Sequence, residues 1–378
     1  MESDSSRRNF LVAGLSLPVA GLASVPLPQA SPAQAGRPAS PSAAAVRYRT
    51  LGQTGLKVST VGYGCMITSD SSVISRAVDL GITYFDTARG YQSGNNERMV
   101  GAALKGSRNR IVLSSKSEAK TAAEAAAELD TSLKELGTDH LDIWYMHSRD
   151  TVAAIPDELV TVWENAKQQG KILHIGISTH KPNAIVDRVL AVGKFEVLLS
   201  TYSFAVGTAN DPAYQKLSGA GIGLVAMKVM APAARARKPD GPLAALKWVL
   251  RDTRFATTIP SMTDMEQLEM NFRAMAEPFA AADEKVLARI DKDIRPFYCR
   301  MCQQCSGQCP KGVAIPETIR YLSYADFYGQ FALGREHFLA LPEEARAVRC
   351  EDCASCPVRC PNGVHVAERL IRAQNLFA

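Results

Sequence analysis

The stretch IVLSSKSEAKTAAEAAAELDTSLKELGTDHLDIWYMH, residues 111–147, holds one complete repeat of the fold. Ile111–Lys116 is a short run, apolar at its start and polar at its end. Ala122–Leu136 follows, with Leu129, Leu133 and Leu136 recurring at helical spacing. Leu141–His147 is again short and apolar. Strand, helix and strand in this order make a unit of a parallel sheet.

The same alternation continues outward from Arg47 to about Pro278. Further candidate strands are Thr60–Tyr63, Thr83–Thr87, His174–Thr179, Glu196–Tyr202, Gly223–Lys228 and Thr257–Ser261, eight in all. Eight such units predict an α/β chain with a (β/α)8 TIM barrel over residues 47–280, since that fold takes about 250 residues. A doubly wound open sheet is the alternative, but no G-x-G-x-x-G follows the first strand. Hydrophobic residues make up 46% and charged residues 21% of the 378, which suits a globular chain with a sizeable core. The formal charge of +5 comes without a basic run, so nucleic acid is not expected as a partner.

Beyond a linking helix at residues 281–298, the chain changes character. Eight of its nine cysteines fall after residue 298, and Cys65 alone reads as a core residue. Cys299, Cys302, Cys305 and Cys309-Pro310 give C-x2-C-x2-C-x3-C-P. Cys350, Cys353, Cys356 and Cys360-Pro361 repeat it. This is the bacterial ferredoxin spacing, in which the fourth cysteine serves the other cluster. It assigns Cys299, Cys302, Cys305 and Cys360 to one [4Fe-4S] cluster and Cys350, Cys353, Cys356 and Cys309 to a second. Two structural zinc sites are the alternative, although zinc ribbons usually show separated C-x2-C pairs. Lys311-Gly312-Val313 and Asn362-Gly363-Val364 follow the two Cys-Pro pairs, so the halves form an internal repeat. A helical stretch from Ile315 to Leu341 lies between them, and Val364–Leu376 reads as a final helix. Residues 299–378 thus resemble the α-helical two-cluster ferredoxin domains attached to oxidoreductases, whose function is electron transfer.

The barrel's phrases are also specific. RYRTLGQTGLKVSTVGYG (47–64), GITYFDTARGY (81–91), SLKELGTDHLDIWYMH (132–147) and GKILHIGIS (170–178) resemble the aldo-keto reductase family. The resemblance implies a catalytic tetrad of Asp86, Tyr91, Lys116 and His147, at or just beyond C-terminal strand ends. It implies reduction of a small aldehyde or ketone, or the reverse, with NADP or NAD. Ser178 matches a carboxamide contact and Tyr202 the aromatic residue that stacks on the nicotinamide. The usual Asn and Gln beside them are replaced by Thr179 and Leu199. IPSMTDMEQLEMN (259–271) resembles the cofactor-binding segment, with Ser261 at a position that often meets the 2′-phosphate and Asn271 as an adenine contact. Gln267 stands at another phosphate position, with Asp264 and Glu266 nearby, which disfavours a phosphate dianion. Arg235, Arg237 and Lys238 are candidates for the pyrophosphate.

Residues 1–35 read as a targeting segment. Ser6-Arg7-Arg8-Asn9-Phe10-Leu11 resembles the twin-arginine export motif, an apolar stretch follows, and Ala33-Gln34-Ala35 is a small-x-small cleavage site. Residues 36–46 read as a linker. The expectation is a periplasmic protein with no stable membrane span after cleavage, serving a redox partner protein. A second expectation is an exported iron–sulfur electron carrier whose barrel is not a carbonyl reductase.

Overall fold

The computed structural model describes residues 46–230, 233 and 240–378. The expected signal and most of the expected linker lie outside the described residues, as do Arg235, Arg237 and Lys238. An antiparallel hairpin, β1 (Tyr48–Thr50) and β2 (Lys57–Ser59), comes first. Eight parallel strands follow: β3 (Tyr63–Gly64), β4 (Tyr84–Asp86), β5 (Val112–Ser117), β6 (Leu141–Met146), β7 (Ile172–Thr179), β8 (Val197–Thr201), β9 (Gly223–Met227) and β10 (Phe255–Thr258). They lie side by side in sequence order. Parallel bridges from Val61 to Thr258 and from Gly64 to Ser261 join the first to the last. The sheet is therefore a closed barrel, and each expected strand overlaps an observed one.

Helices α1 (Ser71–Asp79), α2 (Asn95–Leu104), α3 (Ala122–Leu136), α4 (Asp157–Gln168), α5 (Pro182–Val192), α6 (Asp211–Gly219), α7 (Gly241–Leu250) and α8 (Met265–Ala276) belong to the barrel's outer layer. Helix α3 shows why its segment folds this way. Thr121 and Glu124 close a capping box at its start, and Gly137, at φ 64°, caps its end in the left-handed conformation.

Alternation along the strands sorts the core into two layers. Tyr84, Val112, Ile143, Tyr145, Val197, Leu199, Val225 and Ala256 fill the barrel interior, together with Leu51 and Val58 of the hairpin. Their neighbours Phe85, Leu113, Trp144 and Leu198 pack outward against the helices. The hairpin closes the N-terminal end. Gly52 sits at φ 54°, where a Cβ would lie 2.3 Å from the Gly223 nitrogen, so a side chain there would unseat the plug.

After α9 (Ala281–Ile294), the C-terminal domain consists of α10 (Ile315–Tyr328), α11 (Phe331–Leu339), α12 (Glu343–Ala347) and α13 (Val366–Phe377). Gly329, at φ 67°, ends α10 and splits the expected Ile315–Leu341 helix in two. Asp326 of α10 receives Arg372 of α13 at 2.7 Å and also Arg369. Arg320 of α10 reaches Asp150, just beyond β6, at 2.6 Å. Glu317 takes Lys181, just beyond β7, at 2.5 Å. Helix α10 is thus fastened across the C-terminal mouth of the barrel. Among the described residues no helix is long and apolar enough to cross a membrane.

Candidate active site and cysteine-rich centre

The inward-facing register carries the polar residues up to the mouth. Asp86 lies two residues above Tyr84, Lys116 two above Ser114, and His147 two above Tyr145. Lys116 is 1% exposed. Its ammonium lies 2.5 Å from Asp86 Oδ2, 2.6 Å from the Thr87 carbonyl and 3.4 Å from the Tyr91 hydroxyl. Ser114 Oγ donates to the other Asp86 oxygen at 2.7 Å. The His147 ring meets the Tyr91 ring edge-on at 6.1 Å, and its Nδ1 lies 3.0 Å from Glu118. The structure therefore brings Asp86, Tyr91, Lys116 and His147 together.

Tyr91 opens a single 3-10 turn, Tyr91–Gly94, in which Gln92 and Ser93 both have positive φ, 51° and 54°. Such backbone is costly for residues with a Cβ and persists only where its surroundings hold it. Here Gln92 Nε2 donates to the Thr68 carbonyl at 2.8 Å. Arg89 ties the Gly94 carbonyl at 3.0 Å and pairs with buried Glu97, which also accepts from Ser115 at 2.5 Å.

Burial raises the Tyr91 phenol above its ordinary value, and Lys116 opposes part of that rise. Burial works against the charge on Lys116, but Asp86 and Tyr91 outweigh it and raise its pKa. The hydrogen bond from His147 holds Glu118 down at about 2 despite partial burial.

Residues 68–241 match the model of the "Aldo/keto reductase family". This part of the barrel is an aldo-keto reductase domain. The chain is 34% identical over 161 residues to an "Uncharacterized oxidoreductase YqkF" of Bacillus subtilis, covering 38% of this chain and about half, 52%, of that protein. It is 23% identical over 337 residues to an "L-glyceraldehyde 3-phosphate reductase" of Escherichia coli O157:H7, covering 70% and 96%. Among solved structures, the holo form of an aldo-keto reductase from Bacillus halodurans aligns with a TM-score of 0.57 and 26% identity, over 65% of this chain and 96% of that one. The chain is accordingly an oxidoreductase in class.

The expected cofactor contacts of the aldo-keto reductase domain fare unequally. Ser178, 1% exposed, is the next-to-last residue of β7 and faces inward, and its Oγ accepts from the Ser148 nitrogen at 2.8 Å. Ser261 is bridged to Gly64 at the mouth. Asn271 on α8 is fully buried, and neither its Nδ2 nor its Oδ1 has a hydrogen-bond partner. An amide left this way costs free energy unless a ligand completes it, so its chemistry fits an adenine edge. Tyr202 requires a correction. Val197 and Leu199 face inward on β8, so Tyr202 falls on the outward parity. Its ring stacks on Phe255 at 4.2 Å, leans on Trp248, and its hydroxyl donates to Asp252 at 2.8 Å. It is not brought to the tetrad.

Sequence reading also passed over several residues that the structure places at the mouth. Lys228, just past β9, has φ 61°. Its ammonium lies over the rings of Tyr324 and Tyr328 of α10, 4.6 and 4.5 Å from their centroids. Burial, Arg320 and Lys116 push it down to about 7. Asp150 accepts from Thr179 Oγ1 at 2.9 Å and the His180 nitrogen at 2.8 Å, besides Arg320. Burial would raise its carboxyl, but His180, Arg320 and these hydrogen bonds hold it at about 2. Burial and the Arg320 charge keep the His180 imidazole well below its ordinary value.

The cysteines group by the crossed rule. Burial pushes the Cys299 thiol up to about 12, with contributions from Cys305, Cys302 and Cys360. Burial pushes Cys350 up to about 11, with contributions from Cys353, Cys309 and Cys356. Each set is thus three thiols of one run and the last of the other. The repeat is regular in three dimensions. Lys311 Nζ donates to Cys353 Sγ at 3.3 Å, while Asn362, its counterpart in the second half, donates to Cys302 Sγ at 3.3 Å. The Met301 nitrogen donates to Cys299 Sγ at 3.3 Å. Met301 and Gln303, at φ 58° and 65°, bend the chain between the first three cysteines. Among the described residues, no three His, Cys, Asp or Glu side chains converge on a single-ion site. Clustered thiols with N–H donors on their sulfurs fit an iron–sulfur cluster, whose thiolates are spread over separate irons.

Proposed function

We propose that this protein is an exported, nicotinamide-dependent reductase of a small aldehyde or ketone (or acts in reverse), with two [4Fe-4S] clusters that exchange electrons with a partner protein. The observation that carries the enzymatic part is Lys116, held between the Asp86 carboxylate and the Tyr91 phenol at the barrel mouth. Tyr91 donates a proton to the carbonyl oxygen. The Lys116 ammonium stabilises the phenolate left behind, and Asp86 keeps that ammonium charged and in place. His147, anchored on Glu118, hydrogen-bonds the carbonyl oxygen and orients it. The bound nicotinamide supplies the hydride. Ser178 would hold its carboxamide, with Ser261 and Asn271 on the adenosine half of the cofactor, and the acidic Asp264 and Glu266 would favour NAD over NADP. Relatives named L-glyceraldehyde 3-phosphate reductase and L-galactose dehydrogenase support a small polyhydroxylated carbonyl as substrate.

The clusters supply one-electron transfer when bound, held by the two crossed sets of cysteines. The twin-arginine motif supports a periplasmic location, because that route carries folded proteins with their clusters already assembled. The protein would then carry its nicotinamide bound and recycle it in place.

A second reading, an exported electron carrier whose barrel turns over no carbonyl, is favoured by α10 lying across the mouth and by Tyr202 facing away from it. Anaerobic purification with iron and sulfide analysis, then spectra with NADH and NADPH, separates the two. The reductase reading expects nucleotide binding by fluorescence and bleaching of the clusters on adding NADH. Iron-loaded protein that binds neither nucleotide would sink it.

A further inference from the structure

Where α10 crosses the barrel mouth, basic side chains outnumber the acids that neutralise them. Arg320 is matched by Asp150, Lys181 by Glu317, and Lys116 by Asp86. Glu118 is taken by His147. Lys228 pairs with no carboxylate among the described residues, and only the faces of Tyr324 and Tyr328 lie against it. Beside this group sits His180, 6% exposed, with both ring nitrogens lacking a hydrogen-bond partner. Buried polar atoms are normally satisfied, so an orphaned imidazole needs an occupant. His180 and Arg320 line a small cleft together with the Lys181–Glu317 ion pair, Pro316, and Met301 and Gln303 of the first cysteine run. Asp150 joins two members of the group, taking Arg320 at 2.6 Å and lying 3.9 Å from His180 Nδ1. Arg320, Tyr324 and Tyr328 follow at four-residue spacing on one face of α10, which sets Lys228 about a turn from Arg320.

We infer that Lys228, Arg320 and His180 form an oxyanion subsite above the tetrad, and that the carbonyl substrate bears a carboxylate or phosphate group that binds there. Lys228 supplies the uncompensated charge, and Arg320 adds a guanidinium that its single carboxylate partner does not saturate. His180 completes the site through Nε2, since its Nδ1 lies 3.9 Å from the Asp150 carboxylate. Tyr324 and Tyr328 wall the site from water, which strengthens each charge-assisted contact. The inference rests on the reductase reading for the word substrate, but the site itself does not.

The test is calorimetric titration of the cluster-loaded, nucleotide-free protein with malonate and with inorganic phosphate. Either probe binding with one-to-one stoichiometry supports the site, and the tighter of the two identifies the anion class. Lys228→Met, similar in length and without charge, is expected to weaken binding about tenfold or more. Lys228→Arg, which keeps the charge, restores most of it and shows that the fold survives change at this position. No binding to the unaltered protein, or equal binding by Lys228→Met, overturns the inference. Displacement of the probe by saturating NADH also overturns it, because the site would then serve the cofactor's phosphates. Protein that binds malonate beside NADH yet turns over no carbonyl would instead defeat the reductase reading and leave the subsite standing.

Discussion

At the scale of the residue, the site turns on a proton held in a buried network. Tyr91 must be protonated to reduce a carbonyl, and burial raises its pKa above the ordinary 10. A raised donor stays protonated further into alkali, so kcat/KM for reduction should show no fall assignable to Tyr91 below pH 10. Tyr91→Phe removes the donor and should lower kcat by roughly 10²–10⁴-fold while nucleotide still binds. Lys116→Met takes away the one nearby charge that favours the phenolate. The Tyr91 pKa should climb further and kcat should fall with it, both read from the pH profile. The tetrad was legible because Asp86, Tyr91 and His147 stand in recognisable phrases and Lys116 ends an expected strand. Tyr202 was misplaced although its parity was countable, since VLLST of β8 is buried on both faces and shows no alternation to count from. Lys228 ends an expected strand, and nothing in the sequence singles it out. Only its positive φ and the tyrosines of α10 reveal where it lies.

At the scale of the element, α10 is the piece that joins the two parts of the chain, and its join is electrostatic. Asp150 and Arg320 are largely buried and 2.6 Å apart. Asp150→Asn leaves Arg320 without its counter-ion, and removing one partner of a buried pair costs about 3 kcal/mol. Faster hydrogen exchange over Ile315–Tyr328 and a lower Tm would report it. The pair also depends on pH. Asp150 titrates near 2 in the folded chain against 3.8 ordinarily, so its stabilisation is full above the ordinary value and is lost as pH falls through about 2. Acid should therefore loosen α10 in the unaltered protein and have less effect in Asp150→Asn. The sequence showed helical periodicity across Ile315–Leu341 but concealed the break, because Gly329 ends α10 without interrupting the apolar pattern. The β1–β2 hairpin escaped for a related reason. Three residues a side are too few to display a period of two.

At the scale of the whole molecule, the crossed cysteine pattern makes a prediction that iron counting alone can decide. If each cluster takes three thiolates from one run and one from the other, Cys299 and Cys360 serve the same cluster although they lie far apart in the chain. Cys309, ten residues from Cys299, serves the other. Two four-iron clusters give roughly eight irons per chain, and Cys299→Ser should reduce this to about four. Adding Cys360→Ser to Cys299→Ser should then remove little more, because both changes strike one cluster. Adding Cys309→Ser instead should bring the iron close to zero. Non-additivity of this kind is the mark of residues that act as one unit. If each run held its own cluster the two double variants would exchange results, with Cys299→Ser/Cys309→Ser keeping about four irons. The neighbours of Cys299 are Cys302, Cys305 and Cys360, which is why the crossed outcome is expected. The same arrangement places the first cysteine run beside the His180 cleft at the mouth, so loss of that cluster should disturb probe binding at Lys228 more than loss of the second.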